Sequence, residues 1–259
     1  MERLDKFIAD RTDMSRKDVK QALKQGAVKV NGTPVRDSSL KIEPGYDRVT
    51  VSGKELVYKE HTYIMLNKPE GCVCSTRDGL SETVLSFVPE ELMVRGLFPA
   101  GRLDKDSKGF VFLTDDGELA HRILSPKNHL TKYYLVKLEE EYKEEYEEAF
   151  ASGLVIDGGE KCMPARVCGI SHDPKYALVG LNEGKFHQVK RMFQTVGNKV
   201  TQLFRMQIGG LPIDGKLLPG ECLELLNNEI EKMLSEIDFK DVQNYAEKSF
   251  WSYLINNKL

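Results

Sequence analysis

The sequence predicts an α+β fold. A small N-terminal module of helices and a β-hairpin precedes a larger domain, in which helices flank a mixed, mainly antiparallel β-sheet. Apolar residues recur at helical spacing over residues 2–25 and then alternate with polar residues, as in strands. From Tyr63 onward, short apolar runs and helix patterns interleave without the regular spacing of βαβ units.

The predicted N-terminal module comprises residues 1–58. Residues 2–25 predict two short helices, and Gly26 ends the second of them. Asn31-Gly32 supplies a tight hairpin turn, and a further strand, RVTVSGKEL, closes the module. We interpret residues 59–62 as a short polar linker.

The predicted larger domain comprises residues 63–228. Its strands are expected at YIMLNKP from Tyr63, FVFLT at 110–114, YYLVKL at 133–138 and ALVGL at 177–181. Its helices are expected at 118–124, 139–152 and 186–196, and the Glu-rich helix among them should be exposed. Residues 229–259 predict one or two further helices, which form a C-terminal extension.

The composition favours a cytoplasmic protein without a membrane segment or a metal. The N-terminus is charged and lacks the apolar core of a secretory signal. No run of about 18 apolar residues occurs, as a membrane-spanning helix needs. The five cysteines form neither an even disulfide set nor a zinc pattern, so we expect reduced thiols.

The net charge of −3 does not exclude a nucleic-acid partner, because the charges are unevenly distributed. Residues 139–148 hold seven Glu and one Lys, and residues 221–259 hold eight acidic and four basic residues. Residues 1–60, by contrast, carry 13 Lys/Arg and 10 Asp/Glu. The N-terminal module is therefore locally basic.

Cations crowd the two predicted N-terminal helices. Arg16, Lys20 and Lys24 recur at i, i+4 and i+8, so they line one helix face, as contacts to a phosphate backbone require. The alternative is a charged face that only meets solvent, since acids are interspersed among the cations. The candidate RNA-binding residues are Arg3, Lys6, Arg16, Lys17, Lys20 and Lys24.

The segments RLDKFIA and SRKDVKQALKQGAVKVNG resemble the S4 RNA-binding module, in which two helices and a hairpin dock structured RNA. The resemblance covers residues 2–58 and implies that they bind RNA. It leaves the activity open, because this module is attached to many kinds of protein.

The stretch AGRLDKDSKGFVFLT holds the candidate catalytic residue. Gly101-Arg102-Leu103-Asp104 predicts a turn with an acid beside a cation, although an Asp there often only caps the turn. A nucleophilic carboxylate in a dry pocket needs a fixed cation, because desolvation otherwise raises its pKa. A flipped nucleobase needs an aromatic ring to stack on. Tyr134 on a predicted strand supplies such a ring, and the predicted helix 186–196 brings His187, Gln188, Lys190 and Arg191 as the accompanying polar residues.

Three motifs resemble those of the RsuA-type pseudouridine synthases. GRLDKDSKGF is similar to G-R-L-D-x-x-[ST]-x-G-L, with Phe110 where Leu is usual and Ser107 where Thr is common. KYYLV at 132–136 is similar to a K-x-Y-x-V strand, and residues 183–211 resemble the third motif. With the N-terminal module, the resemblance covers about residues 2–228.

The resemblance implies a role for each matched charged residue. Asp104 is the catalytic carboxylate, which attacks the target nucleoside or stabilises its detached sugar while the uracil rotates. Lys190 pairs with this carboxylate, and the adjacent Arg191 is the alternative candidate for that pairing. Arg102 holds a phosphate or the extruded strand.

The resemblance also implies that Tyr134 stacks on the flipped uracil, near the C5 atom that must lose a proton. Tyr133 is a second aromatic candidate. Side chains alternate along a strand, so the two rings lie on opposite faces and only one can reach the base. The motif register favours Tyr134.

The implied activity is isomerisation of a specific uridine in 16S rRNA to pseudouridine. The implied enzyme is a monomer that acts on the rRNA or on an assembling small subunit. The reaction breaks N1–C1′ and forms C5–C1′ without a redox change or a group donor, so no cofactor is expected. The alternatives are action on 23S rRNA, a non-catalytic S4-type ribosome-binding factor, and a hydrolase that pairs Asp104 with Asp106 or Asp115.

Overall fold

The computed structural model describes residues 1–56, 59–125 and 130–256. The chain divides into two compact units, Met1–Thr62 with Val94–Gly96 and Tyr63–Met93 with Leu97–Leu259. The predicted end of the N-terminal module, at residue 58, lies outside the described residues. Within the described ranges, no helix has the length and apolar character needed to cross a membrane.

The first unit contains two helices and two small sheets. The helices are α1 (Leu4–Ala9) and α2 (Arg16–Lys24). The strands are β1 (Glu2–Arg3), β2 (Val28–Val30), β3 (Thr33–Pro34), β4 (Lys41–Ile42), β5 (Val49–Val51) and β6 (Lys54–Leu56). β1 pairs with β4, and the other strands form an antiparallel sheet in the order β3-β2-β5-β6.

The two predicted N-terminal helices are confirmed. α2 begins at a capping box, in which the Ser15 hydroxyl accepts from the Asp18 amide while the Asp18 carboxylate accepts from the Ser15 amide. The apolar faces of both helices pack on the small sheet and form a separate core. This core is built from Leu4, Phe7, Ile8, Val19, Ala22, Leu23, Val28, Ile42 and Val49.

Two tight turns shape this sheet. Asn31 and Gly32 have φ of 51° and 80°, which confirms the predicted hairpin. Ser52 and Gly53 repeat the arrangement with φ of 51° and 83°. RVTVSGKEL, predicted as one strand, is therefore the hairpin β5–β6. Ser-Gly is a weaker signal for this turn than Asn-Gly, which explains the wrong prediction.

The second unit is built on one large sheet. The strands of this unit are β7 (Tyr63–Lys68), β8 (Phe98–Pro99), β9 (Lys108–Thr114), β10 (Lys132–Leu138), β11 (Val155–Ile156), β12 (Glu160–Lys161), β13 (Arg166–Ile170), β14 (Asp173–Leu181), β15 (Val200–Ile208), β16 (Leu211–Pro212) and β17 (Cys222–Glu224). Of these, β11 and β12 form a separate two-stranded sheet. Its α-helices are α3 (Gly117–Leu124), α4 (Glu145–Ala151), α5 (Gln188–Thr195), α6 (Asn227–Met233), α7 (Phe239–Tyr245) and α8 (Trp251–Asn256).

The order of the large sheet is β13-β14-β10-β15-β9-β7-β17, with β16 beside β15 and β8 beside β9. Along this path β15 and β9 pair in parallel, and the other neighbours pair antiparallel. The predicted mixed, mainly antiparallel sheet is confirmed. β15 lies near its centre, although the sequence analysis did not predict this strand.

The Glu-rich helix is shorter and less exposed than predicted. The sequence predicted a helix over 139–152, whereas α4 spans Glu145–Ala151. Its Tyr146 and Phe150 are buried and pack on Phe193 of α5, with ring centroids 5.9 and 5.0 Å apart. Residues i and i+4 share a helix face, so two aromatic residues among the glutamates give α4 a buried side.

The predicted C-terminal helices form and pack into the main core. They contribute Ile230, Met233, Phe239, Val242, Ala246, Phe250, Tyr253 and Leu254 to the cluster that covers one face of the large sheet. The Tyr253 hydroxyl also donates to the Leu217 carbonyl oxygen at 2.8 Å. The helices after residue 228 therefore belong to the compact second unit.

Candidate active site

Asp104 lies in the loop between β8 and β9, and two glycines set the path of this loop. Gly101 and Gly109 have φ of 109° and 102°. A Cβ atom on Gly109 would lie 2.4 Å from the Arg205 carbonyl oxygen and 2.9 Å from its nitrogen. Only glycine allows β9 and β15 to approach this closely where they pair in parallel.

The buried ammonium of Lys68 holds the end of this loop. Its Nζ donates to the carbonyl oxygens of Ser107 at 2.7 Å, Pro69 at 3.0 Å and Lys105 at 3.3 Å. Burial lowers the pKa of Lys68. The sequence analysis assigned this residue no role. A lysine within the apolar strand YIMLNKP was the available signal, since a buried cation needs fixed acceptors.

Lys190, on the first turn of α5, is the cation at Asp104. Its Nζ lies 3.1 Å from Asp104 Oδ2 and 2.6 Å from Asp106 Oδ1. The side chains of Lys190 and Asp104 are each about a quarter exposed, at 24% and 25%. The ion pair is therefore partly shielded from water and stronger than a surface pair.

Lys190 and Asp106 stabilise each other's charged form. Burial acts to lower the pKa of Lys190, but its bonds to Asp106 and Asp104 outweigh burial and raise that pKa. Burial acts to raise the pKa of Asp106, and the bond from Lys190 outweighs it, so this pKa is lowered. A glycosidase acid needs a raised pKa. The lowered pKa of Asp106 therefore gives no support to a hydrolase in which Asp106 is the acid.

His187 approaches the other oxygen of Asp104. Its Nε2 lies 3.5 Å from Asp104 Oδ1. The residue precedes α5 and has φ 49° and ψ 32°, in the left-handed region. This conformation costs a residue other than glycine on the order of 1–3 kcal/mol and occurs preferentially at functional sites. The sequence analysis assigned His187 no role of its own.

Arg191 binds a different set of acids. It donates to the Asp157 carboxylate and, at 2.6 Å, to the Asp157 carbonyl oxygen. Its Nη1 lies 2.7 Å from Glu160 Oε2. Successive helical residues are about 100° apart around the axis, so Arg191 points away from the loop that Lys190 contacts. Between the two candidates, Lys190 is the one beside Asp104.

Arg102 is exposed, two residues before Asp104. Within the described part of the chain, no hydrogen bond or salt bridge joins its guanidinium to a protein group. A long cation on the rim of this loop is therefore available to an anionic ligand.

Tyr134 lies in a row that crosses three neighbouring strands. It is opposite Arg205 on β15, and Arg205 in turn pairs with Gly109 on β9. Neighbouring strands are about 5 Å apart, so Tyr134 lies roughly 10 Å across the sheet from the end of the Asp104 loop. Tyr133 belongs to the core cluster that covers one face of the sheet, whereas Tyr134 lies outside that cluster and is itself buried, at 8% exposed. The predicted alternation of the two rings is confirmed.

Two buried cations share the face of Tyr134. Lys132 Nζ donates to the Ile123 carbonyl oxygen at 3.0 Å, and Arg205 Nε donates to the Phe110 carbonyl oxygen at 2.7 Å. Burial, followed by the charge of Arg205, lowers the pKa of Lys132 to about 8. Arg205 Nη2 is buried and has no hydrogen-bond partner in the described structure. The sequence analysis assigned neither cation a role.

The cations of the first unit fall into two groups. Arg3 forms two hydrogen bonds with Asp5, and Lys6 lies 3.0 Å from Glu2. The α2 cations Arg16, Lys17, Lys20 and Lys24 are exposed, and no salt bridge links them to a described acid. The second group is therefore available for phosphate contacts.

Burial suppresses the reactivity of two cysteines, Cys168 and Cys222. All five are free thiols, as predicted. Burial raises the pKa of Cys168 to about 12 and that of Cys222 to about 11, so both are protonated at neutral pH. Among the described residues, no group of three or more His, Cys, Asp or Glu side chains is arranged to hold a metal.

Two family profiles match this chain. The RNA pseudouridylate synthase profile matches residues 62–195, and the S4 domain profile matches residues 2–47. The first span includes Asp104, Tyr134 and Lys190. The second includes both helices of the first unit.

Relatives match nearly the whole chain. The uncharacterized RNA pseudouridine synthase YtzG of Bacillus subtilis is 42% identical over 230 residues, which are 88% of this chain and 96% of the relative. The ribosomal small subunit pseudouridine synthase A of Haemophilus influenzae is 43% identical over 234 residues, 90% of this chain and 99% of the relative. The protein of the same name from Escherichia coli K12 is 40% identical over 233 residues, 90% of this chain and 100% of the relative.

A solved structure has the same fold. It is a crystal structure of a pseudouridylate synthase, with a TM-score of 0.62 and 42% identity, and the match covers 90% of this chain and 100% of that one. From the profile, the relatives and the fold together, the chain belongs to the RNA pseudouridine synthase family.

Proposed function

We propose that this enzyme isomerises one uridine of small-subunit (16S) rRNA to pseudouridine. The observation that carries the proposal is the ion pair between Lys190 Nζ and Asp104 Oδ2, 3.1 Å apart, in a chain of this family. The relatives named ribosomal small subunit pseudouridine synthase A support the choice of rRNA.

Asp104 supplies the carboxylate that attacks the target nucleoside or stabilises its detached sugar. Lys190 places a positive charge 3.1 Å from this carboxylate, where it offsets the negative charge when the RNA displaces water from the site. Asp106 shares Lys190 and holds the ammonium in place. The short distances to Lys190 support these roles.

The uracil is extruded from the RNA, released at N1, rotated and rejoined at C5. The proton that leaves C5 is balanced by the one that N1 gains, so the product is an isomer of the substrate. Tyr134 stacks on the free uracil and presents its hydroxyl near C5. Its place in one row with Arg205 and Gly109, which leads across the sheet to the end of the Asp104 loop, supports this role.

The domains divide the work between binding and chemistry. Residues 1–58 are an S4-like RNA-binding domain, and residues 59–62 are a linker. Residues 63–228 are the catalytic domain, with residues 229–259 as a C-terminal helical extension. The exposed α2 cations bind rRNA phosphates, and Arg102 and Arg191 bind the target strand. The enzyme acts as a cytoplasmic monomer, on free rRNA or on an assembling small subunit.

Mapping of pseudouridine in rRNA tests the proposal. Transcribed 16S and 23S rRNA, and small-subunit particles from a strain that lacks the gene, are incubated with the protein. Carbodiimide labelling and primer extension then locate pseudouridines. We expect one new stop, in 16S rRNA, either free or within the particle. Primer-extension stops in 23S rRNA alone would show that the substrate is 23S rRNA and not 16S rRNA. The absence of a stop in every RNA tested would contradict the proposed activity.

A further inference from the structure

An exposed aromatic side chain lies beside the candidate catalytic carboxylate. Phe186 is 73% exposed, although a large apolar ring ordinarily lies inside a protein. It stacks on His187 with ring centroids 3.8 Å apart and an interplanar angle of 18°. His187 Nε2 in turn lies 3.5 Å from Asp104 Oδ1. The two rings therefore form a stack that extends from the carboxylate into solvent.

The loop that carries this stack is firmly held. The Gln188 side chain accepts from the Lys185 amide at 2.9 Å and donates to Glu183 at 2.7 Å. The same Glu183 carboxylate accepts from the Met163 amide at 2.8 Å. These bonds close the loop on itself and tie it to the chain beside it.

A second brace acts directly on the aromatic residue. Arg191 Nη1 donates to the Phe186 carbonyl oxygen at 3.0 Å, and the guanidinium is itself held by Asp157 and Glu160. The left-handed backbone of His187 turns the chain sharply between Phe186 and α5. Phe186 is thus exposed on a rigid support, which lowers the entropy cost of binding.

We propose that Phe186, supported by His187, is a stacking platform for the nucleobase adjacent to the target uridine. This proposal rests on the proposed function. When the uridine leaves the helix, its neighbour loses a stacking partner, and an aromatic ring replaces that contact. The spacing of 3.8 Å between the two rings is close to the ~3.4 Å rise between stacked bases. The outer face of Phe186 is therefore positioned to continue the stack.

Single-turnover kinetics test the platform. The rate of pseudouridine formation is measured against enzyme concentration on an rRNA fragment that contains the target. Two further fragments carry an abasic site on the 5′ or the 3′ side of the target uridine. The variants are Phe186→Leu, which keeps an apolar side chain, and Phe186→Trp, which keeps a stacking face. The matched control is Leu226→Ala, which shortens another exposed apolar side chain of the same unit.

Loss of one stacked base corresponds to about a 5- to 150-fold change in affinity. We expect Phe186→Leu to raise the half-saturating enzyme concentration by this factor on the intact fragment, and to lower the plateau rate much less. On one of the two abasic fragments, Phe186→Leu and wild type should have equal half-saturating enzyme concentrations. Phe186→Trp should restore wild-type half-saturation, and Leu226→Ala should change neither parameter.

Two results would overturn the platform alone, given an active wild-type enzyme. One is an unchanged half-saturation with Phe186→Leu on the intact fragment. The other is a loss of equal size on the intact fragment and on both abasic fragments. A wild-type protein that forms no pseudouridine would overturn the proposed function and the platform with it.

Discussion

Lys190 Nζ donates to Asp104 Oδ2 over 3.1 Å, although the two residues are 86 positions apart in the chain. The neighbouring Arg191 binds Asp157 and Glu160 instead. Lys190→Met should therefore lower the single-turnover rate at least ~100-fold, because the reacting carboxylate loses the positive charge that pairs with it. Lys190→Arg should recover part of this loss, since it restores a cation.

Arg191→Met is the matched comparison for the Lys190 variants. It removes a cation from the same helix but leaves the Lys190–Asp104 pair in place. We expect a weaker effect on the plateau rate than with Lys190→Met, and a higher half-saturating RNA concentration. Equal losses of plateau rate in the two Met variants would contradict the assignment of Lys190 as the partner of Asp104.

The two adjacent tyrosines of β10 give a second test. Tyr133 packs on Phe239 in the core, with ring centroids 6.2 Å apart, whereas Tyr134 lies on the opposite face. Tyr134→Phe keeps the stacking ring but loses the hydroxyl, so RNA binding should persist while turnover falls about 100-fold or more. Tyr133→Phe should leave turnover near wild type. The test is the single-turnover rate of each variant on the same rRNA fragment. If both variants react at the wild-type rate, the Tyr134 hydroxyl has no part in the mechanism.

The exposed cations of α2 predict a salt-dependent contribution to RNA binding. Each lost phosphate contact removes about 0.7–0.9 from the slope of log K against log salt concentration. Replacing Arg16, Lys20 and Lys24 with Gln should therefore reduce this slope by about 2 to 3. Lys6→Gln is the control, because Lys6 is already paired with Glu2 at 3.0 Å. A triple variant with the wild-type slope would show that the α2 cations only meet solvent.

Lys132 predicts an unusual pH dependence of stability. Burial lowers the folded-state pKa of Lys132 to about 8, below the ~10.4 of an unfolded lysine. Between these values the unfolded chain binds more protons, so the free energy of unfolding rises with pH. From pH 7.5 to 9.5 we expect the free energy of unfolding of wild type to rise by about 2 kcal/mol relative to that of Lys132→Met. Urea unfolding at both pH values measures this gain.

A Lys132→Arg variant checks the cause of that gain. The guanidinium stays protonated at every accessible pH, so this variant should lack the gain just as Lys132→Met does. If the free energies of unfolding of wild type and of both variants change in parallel with pH, the lowered pKa of Lys132 is contradicted.

Local patterns predicted much of the fold. Asn31-Gly32 predicted its hairpin because few dipeptides adopt positive φ at both positions. The apolar runs of β7, β9, β10 and β14 predicted four strands of the large sheet. β15 escaped prediction because it is a central strand that carries Gln202, Arg205 and Gln207, so it shows neither alternation nor a continuous apolar run.

The residues of the candidate site could be predicted from the sequence. Which of Lys190 and Arg191 contacts Asp104 could not be decided from it. Asp104, Tyr134 and Lys190 were identified from motifs, whereas the choice of Lys190 over Arg191 depends on the rotation of α5. That rotation is fixed by packing of Phe193 on Tyr146 and Phe150, contacts that are distant in sequence. The three hydrogen bonds from Lys68 to backbone carbonyl oxygens could not be predicted either, because every residue has a carbonyl group and no sequence pattern marks the ones that accept.

The central claim is that the Asp104 carboxylate performs the chemistry. Asp104→Asn keeps the size of the side chain and removes its charge. We measure single-turnover pseudouridine formation on the target rRNA fragment, with circular dichroism and RNA affinity as checks on folding and binding. We expect no detectable product, with folding and RNA affinity close to those of wild type. A rate within about tenfold of wild type, a barrier change of roughly 1.4 kcal/mol, would contradict the central claim.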